Sequence, residues 1–171
     1  QPYTKAEEFI AELDIVIQSL ERHGAFYLSR GRMGELRRAA EVFGFHLAPL
    51  DMRQHSGVHE QVVSELLARR GHTDYAAQDE AARRTSLLAA LQAGEQLAAE
   101  LEGFSPAARG ELQIMRAAAE IHSRFGHNAL PNYIISKADA VSDVLEVALM
   151  LQQSGLLKEG NLQVNIIPLF E

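Results

Sequence analysis

The sequence predicts a mostly α chain with a few parallel strands, of the kind found in a barrel or a doubly wound sheet. Three observations lead there. Apolar residues recur at three- and four-residue spacing through most of the chain, the period of helices with one buried face. Residues 131–171 alternate strand, helix and strand, which is a βαβ unit with parallel strands. Each of three strand-like segments ends on polar groups: Arg53 with Gln54, Ser136 with Lys137, and Glu171. Barrels and doubly wound sheets present their active groups at that end of their strands.

The elements follow in order. Thr4 and Glu7 have capping-box spacing, and Phe9, Leu13, Val16, Ile17 and Leu20 supply the stripe of a first helix that Gly24 stops. After a break around residues 29–34, a second helix runs from Glu35 to Phe43 and closes at Gly44. Residues 45–54 are expected as a strand carrying an arginine motif, with Pro49 interrupting its ladder or placing it near an edge. Ser56 is the expected cap of a helix striped by Val58, Val62, Val63, Leu66 and Leu67. Residues 71–78 form a loop, and 79–101 one or two helices broken near Gly94. Ser105-Pro106 is a cap followed by an N1 proline, starting a helix that reaches Phe125. A strand over 132–136, a helix over 142–153 stopped by Gly155, and a strand over 164–170 complete the chain.

Composition excludes several classes. A formal charge of −7 disfavours nucleic acid and anionic membranes, which select a basic face. The pairs Arg69-Arg70 and Arg83-Arg84 are expected on solvated helix surfaces. No cysteine is present, which removes disulfides and thiolate chemistry and agrees with a reducing cytoplasmic setting. No apolar run reaches the roughly 18 residues of a membrane span. A parallel strand ending at Glu171, and Gln1 where an initiator methionine would stand, lead to the expectation of one piece of a larger enzyme. That piece divides into helices over 1–44, the strand and arginine motif over 45–54, helices over 56–125 and the βαβ unit over 131–171.

An arginine at a strand tip beside a carboxylate suits an anionic ligand held with a metal. The guanidinium forks onto phosphate or carboxylate oxygens, and a glutamate offers a hard oxygen to Mg²⁺ or Mn²⁺. Spacing alone leaves a structural alternative open, with Asp51 as a salt-bridge partner of Arg53 and Glu171 simply solvated.

Three segments go further. Gly44-Phe45-His46-Leu47-Ala48-Pro49-Leu50-Asp51-Met52-Arg53-Gln54, with Ser56 and His59 following, closely resembles a stretch of phosphoenolpyruvate carboxylase. So do Pro131-Asn132-Tyr133-Ile134-Ile135-Ser136 running into Val141-Ser142-Asp143-Val144-Leu145-Glu146-Val147, and the closing Pro168-Leu169-Phe170-Glu171. The resemblance covers essentially the whole chain, with residues 71–110 similar only in general character. It implies a central slice of a lyase whose helices surround a barrel, so that these residues are expected to form a partial (β/α) barrel of the phosphoenolpyruvate/pyruvate type, incomplete within the chain. It also implies the activity: phosphoenolpyruvate and bicarbonate become oxaloacetate and phosphate, a carbon dioxide fixation that feeds the tricarboxylic acid cycle, with Mg²⁺ or Mn²⁺ as cofactor. In that family bicarbonate attacks the phosphate to give carboxyphosphate and an enolate, and the enolate captures the released CO₂. A cytoplasmic homo-oligomer, with neither nucleic acid nor membrane as partner, is the corresponding expectation.

Carried over residue by residue, Arg53 resembles the arginine that contacts the substrate phosphate, and Glu171 one of two acidic metal ligands. Gln54, His59 and Ser136 are expected in support. No general acid or base is assigned within the chain. The family's histidine motif is expected before Gln1, and its second metal acid, lysine and glycine- and arginine-rich loop after Glu171, so the isolated piece is expected to be inactive.

The sequence departs from the family pattern at His55, where glutamate is expected, and at Lys137 and Asp139. Seven histidines invite other roles. His55 and His59 have a helical ligand spacing without a zincin pattern, and are expected at a surface or helix start. His46 is expected beside its strand, and His122 and His127 at a helix end. Met52, Met115 and Met150 are expected as core filler, and Tyr133 as buried with its hydroxyl satisfied. Two other readings remain at this point: a non-catalytic helical binding or scaffold module, and another metal-dependent lyase on a similar barrel.

Overall fold

The computed structural model describes residues 2–171, which form two units. Gln1 lies outside the described residues.

The first unit comprises residues 2–49 and 122–129. Its helices are α1 (Ala6–Arg22), α2 (Phe26–Arg30) and α3 (Arg32–Phe43). Helix α1 starts without a side-chain cap at Lys5, and Thr4 bonds instead to Glu8, one residue beyond the expected Glu7. The expected break around 29–34 is largely helical. Arg37 on α3 bridges Asp14 on α1, with Nε donating to Oδ1 at 2.6 Å. Phe9 packs against Tyr3 and Phe45, at ring separations of 5.2 and 6.4 Å. The rings of His122 and His127 meet edge to face.

The second unit, residues 50–121 and 130–171, holds the main core. Its elements are β1 (Asp51–His55), α4 (Ser56–Ala68), α5 (Glu80–Ala93), α6 (Pro106–Phe125, of which residues 122–125 belong to the first unit), β2 (Asn132–Ser136), α7 (Val141–Ser154), β3 (Leu157–Lys158), β4 (Asn161–Leu162) and β5 (Asn165–Pro168). Strands β1, β2 and β5 pair side by side, all parallel, with β2 in the centre. A short 3₁₀ turn, Tyr75–Ala77, interrupts the loop before α5 and buries Tyr75.

Sequence accounts for these boundaries locally. Asp79 caps α5 by accepting the Ala82 N–H at 2.9 Å, and Gly94 closes it in the left-handed region. Ser105 caps α6 through the Ala108 N–H, and its own hydroxyl donates to Glu65 on α4 at 2.6 Å. Helix α7 is buried on nearly every side from Glu146 to Leu151, as the crossover helix of a βαβ unit must be.

Several expectations are corrected. The strand expected over 45–54 is strand only from Asp51, because Leu47 adopts a left-handed φ of 65° and Pro49 supplies no amide donor. The cap of α4 is the His55 side chain, whose Nδ1 accepts the Gly57 N–H at 3.0 Å, and not Ser56. The antiparallel pair β3–β4 was not anticipated. Among the described residues no closed barrel forms; the sheet has three parallel strands. No helix among them is long and apolar enough to cross a membrane.

Alternation along the strands gives the sheet two different faces. Met52, Tyr133, Ile135 and Ile166 turn toward the core. Asp51, Arg53 and His55 are exposed, and in the ladder register they share their face with Asn132, Ile134, Ser136, Asn165 and Ile167.

Candidate functional site

At the C-terminal end of the open sheet face, side chains from all three strands meet. The Arg53 Nε–H donates to Ser136 Oγ at 2.7 Å, and Arg53 Nη2 stands 3.8 Å from Glu171 Oε1. Register explains the meeting. Arg53 pairs with Ile134 and His55 with Ser136, so the guanidinium reaches forward two residues along the central strand. Backbone pairing continues past the end of β5. The Leu169 N–H donates to the Ile135 carbonyl and the Ala138 N–H to the Leu169 carbonyl, each at 2.9 Å. Glu171 thus leaves the sheet beside the tip of β2.

Both charged side chains remain more than half exposed, at 58% for Arg53 and 55% for Glu171. At 3.8 Å they attract without a hydrogen bond, and exposed pairs of this kind add little to stability. The arrangement therefore leaves a guanidinium edge and a carboxylate side by side, open to a ligand. Those groups suit, respectively, the oxygens of a phosphate and a hard divalent cation. Among the described residues no group of three or more His, Asp or Glu is placed to hold a metal. Glu171 alone still fits such an ion, since Mg²⁺ takes one or two protein carboxylates and keeps waters.

The tip of β2 is shaped by Lys137, a non-glycine residue held at φ 54° in the left-handed region. Its carbonyl accepts the Ser56 hydroxyl at 2.6 Å, tying the end of β2 to the start of α4. Asp139 contributes its backbone: its N–H and that of Ala140 donate to Asp143, which anchors the start of α7. A cleft of about 380 Å³ opens alongside, lined among others by His55, Glu60, Arg83, Lys137 and Asp143; neither Arg53 nor Glu171 lines it.

Gln54 and His59 lie elsewhere. Gln54 follows Arg53 in the strand and so turns to the opposite side, where it donates to Glu111 on α6 at 2.8 Å. Its carbonyl oxygen accepts the His55 N–H at 2.8 Å. His59 is fully buried behind the sheet, not at a surface, with Nε2 2.9 Å from the Tyr133 hydroxyl. Burial lowers its pKa to about 4, against the opposing pull of Asp143. Tyr133 is buried and its hydroxyl satisfied, and burial raises its pKa.

Two features escaped the sequence reading. Asn132 donates to Asp51 at 2.9 Å and Asn165 to Asn132 at 3.1 Å, a polar row across the other end of the same face. The two-residue period from Arg53 back to Asp51 was its available signal. The second is Glu146, fully buried inside α7, where burial raises its carboxyl to a pKa of about 7 although the Tyr75 hydrogen bond opposes the shift. A glutamate in the middle of Val144-Leu145-Glu146-Val147-Ala148-Leu149 was the signal there.

Comparison with known proteins places these residues in a wider context. The family model described as phosphoenolpyruvate carboxylase matches residues 1–171. The chain is 52% identical to a protein of that name from Nitrosomonas europaea and 51% identical to one from Aromatoleum aromaticum, with 100% of this chain and 19% of each relative covered. Against the protein of that name from Mycobacterium leprae it is 47% identical over 99% of this chain and 19% of the relative. The chain spans about 19% of the length of these curated relatives.

Proposed function

The chain belongs to the phosphoenolpyruvate carboxylase family, and on that premise we propose that the longer protein it corresponds to carboxylates phosphoenolpyruvate with bicarbonate, giving oxaloacetate and phosphate. This chain supplies one wall of the substrate site. The observation that carries the reading is the convergence of Arg53, Ser136 and Glu171 from three parallel strands. In this reading the three strands are part of a (β/α) barrel, with the open face of Asp51, Arg53 and Ser136 turned inward. The protein works in the cytoplasm as a homo-oligomer.

The roles follow from charge and geometry. Arg53 binds the substrate phosphoryl group, neutralising oxygens whose charge grows as bicarbonate attacks phosphorus. Glu171 offers its carboxylate to Mg²⁺ or Mn²⁺, and such an ion, when bound, supplies electrostatic stabilisation to the developing enolate oxygen. Ser136 holds the Arg53 side chain. Gln54 and His59 act from behind, fastening β1 to α6 and β2 to α4 so that the strand ends keep their register.

Arg53→Ala in the full-length protein tests the assignment. We expect KM for phosphoenolpyruvate to rise at least tenfold, the scale of a charged hydrogen bond lost to a phosphate. An unchanged KM removes Arg53 from the phosphate site. A non-catalytic binding or scaffold module is the alternative, and it predicts no oxaloacetate formation by the full-length protein in a coupled assay.

A further inference from the structure

We propose that Ser136 is a spacer which keeps Arg53 and Glu171 from pairing with each other, so that the arginine stays available to an anionic substrate and the glutamate to a divalent cation. The inference rests on the assignment of those two ligands given above.

The geometry of the guanidinium carries it. A carboxylate forms a two-bond fork with arginine along one of two edges, either Nη1 with Nη2 or Nε with Nη2. Glu171 stands 3.8 Å from Nη2, and the Nε that would complete the second edge is already spent on Ser136 Oγ at 2.7 Å. Both bonds of that fork therefore cannot form while the serine is present. What remains is a loose contact between two side chains that are each more than half exposed. The Nη1 and Nη2 edge has no hydrogen-bond partner among the described residues, and it is the edge that suits phosphate oxygens.

Without the hydroxyl, Nε is free, and Glu171 needs to close only about one ångström to reach hydrogen-bonding distance of Nε and Nη2. Such a fork disables two ligands at once: the arginine loses orientation toward phosphate, and the carboxylate is neutralised as a cation ligand. The strand order puts the serine where it is needed, because β2 lies between β1 and β5 and its last residue, Ser136, meets the Arg53 guanidinium at Nε.

The experiment uses the full-length protein with Mn²⁺ as probe, counting bound Mn²⁺ by electron paramagnetic resonance without substrate and measuring KM for phosphoenolpyruvate separately. Ser136→Ala is expected to weaken Mn²⁺ binding and to raise KM, each roughly tenfold, the size of one charge-assisted hydrogen bond gained or lost. Ser136→Thr keeps the oxygen and restores both. Ser136→Cys, close in size but a poor acceptor, repeats the defect if the alanine variant fails to fold. The deciding step is Arg53→Ala added to Ser136→Ala: with no guanidinium to capture Glu171, Mn²⁺ binding returns toward wild type while KM stays high. Mn²⁺ affinity within twofold of wild type in both the Ala and Cys variants overturns the spacer. So does a Mn²⁺ defect that removal of Arg53 does not repair. If Arg53→Ala alone leaves KM unchanged, the phosphate assignment fails, and the Mn²⁺ measurements still decide the spacer by themselves.

Discussion

The Tyr75 hydroxyl donates to Glu146 Oε1 at 2.7 Å, in a place where both residues are almost fully buried and Glu146 Oε2 has no partner. The tyrosine is held from its other side by Arg83, whose guanidinium lies 5.4 Å from the ring centre and bonds Glu60 at 2.7 Å. A carboxyl in this setting is more stable with its proton on, and burial moves its pKa from the ordinary 4.5 to about 7.

That shift makes folding depend on pH with a definite sign. The folded state binds this proton more tightly than the unfolded chain, so the contribution is complete below pH 4.5 and disappears as pH rises through about 7. At about 1.4 kcal/mol per pH unit the total is a few kcal/mol. Glu146→Gln removes the titration while keeping a hydrogen-bonding group, and is expected to be more stable than wild type at pH 8 in thermal melts. A variant that is less stable at pH 8 contradicts the assignment of the proton.

His59 pulls the other way. Its pKa falls from 6.5 to about 4 in the folded state, so its contribution is complete above pH 6.5 and disappears as pH drops toward 4. Between pH 4.5 and 6.5 the two buried groups nearly cancel. Single variants should therefore show opposite slopes: in that range Glu146→Gln gains stability as pH rises, and His59→Gln loses it. Melting temperatures taken at four or five pH values check this, and parallel slopes in the two variants would refute it.

Ser105 joins two elements through one side chain. Its hydroxyl caps α6 by accepting from Ala108, while its hydroxyl and N–H both donate to Glu65 on α4. Ser105→Ala removes the cap and leaves a carboxylate oxygen of Glu65 without its closest donor. Loss of a cap costs about 0.5–2 kcal/mol, and chemical denaturation should place this variant near the upper end. A change below about 0.3 kcal/mol would mean that water replaces the hydroxyl at both contacts.

Much of the fold was legible because local chemistry and tertiary packing agree. In β2 the alternation of Tyr133 and Ile135, bounded by Pro131, gave the strand its observed limits of 132–136. The first strand was misplaced because Phe45, His46 and Leu47 have strand-like composition, whereas their backbone turns and Phe45 packs on Phe9. The β3–β4 hairpin went unread since each strand has only two residues, although Glu159-Gly160, with φ values of 50° and 79°, is a tight turn of the kind that joins antiparallel strands. At the site only Ser136 ends its strand as expected; Arg53 sits in the middle of β1, which runs on to His55, and Glu171 lies three residues beyond β5. Gln54 was grouped with them through adjacency, yet the pleat sends consecutive side chains to opposite faces. His59 was concealed by its polarity, since burying it requires Tyr133, a partner 74 residues away.

The isolated 171 residues are expected to lack carboxylase activity, and the reason is arithmetic of charge rather than folding. The substrate phosphate carries up to two negative charges and develops more during transfer, while Arg53 at 58% exposure is the only cation that the described residues bring within hydrogen-bonding distance of Ser136. An exposed arginine acts in high dielectric, where a charge pair at 4 Å is worth about 1 kcal/mol, far below the 8 kcal/mol or more that enzymatic acceleration demands. Glu171 offers a cation one carboxylate, and no cluster of three metal-binding side chains surrounds it among the described residues. The 171 residues span about 19% of the length of the curated relatives they match, so any further groups of such a site lie outside them. Oxaloacetate formation by the 171-residue chain, followed by coupled reduction to malate, should stay at the background rate with Mg²⁺ or Mn²⁺ present. Turnover well above background would mean that Arg53, Ser136 and Glu171 suffice without that remainder.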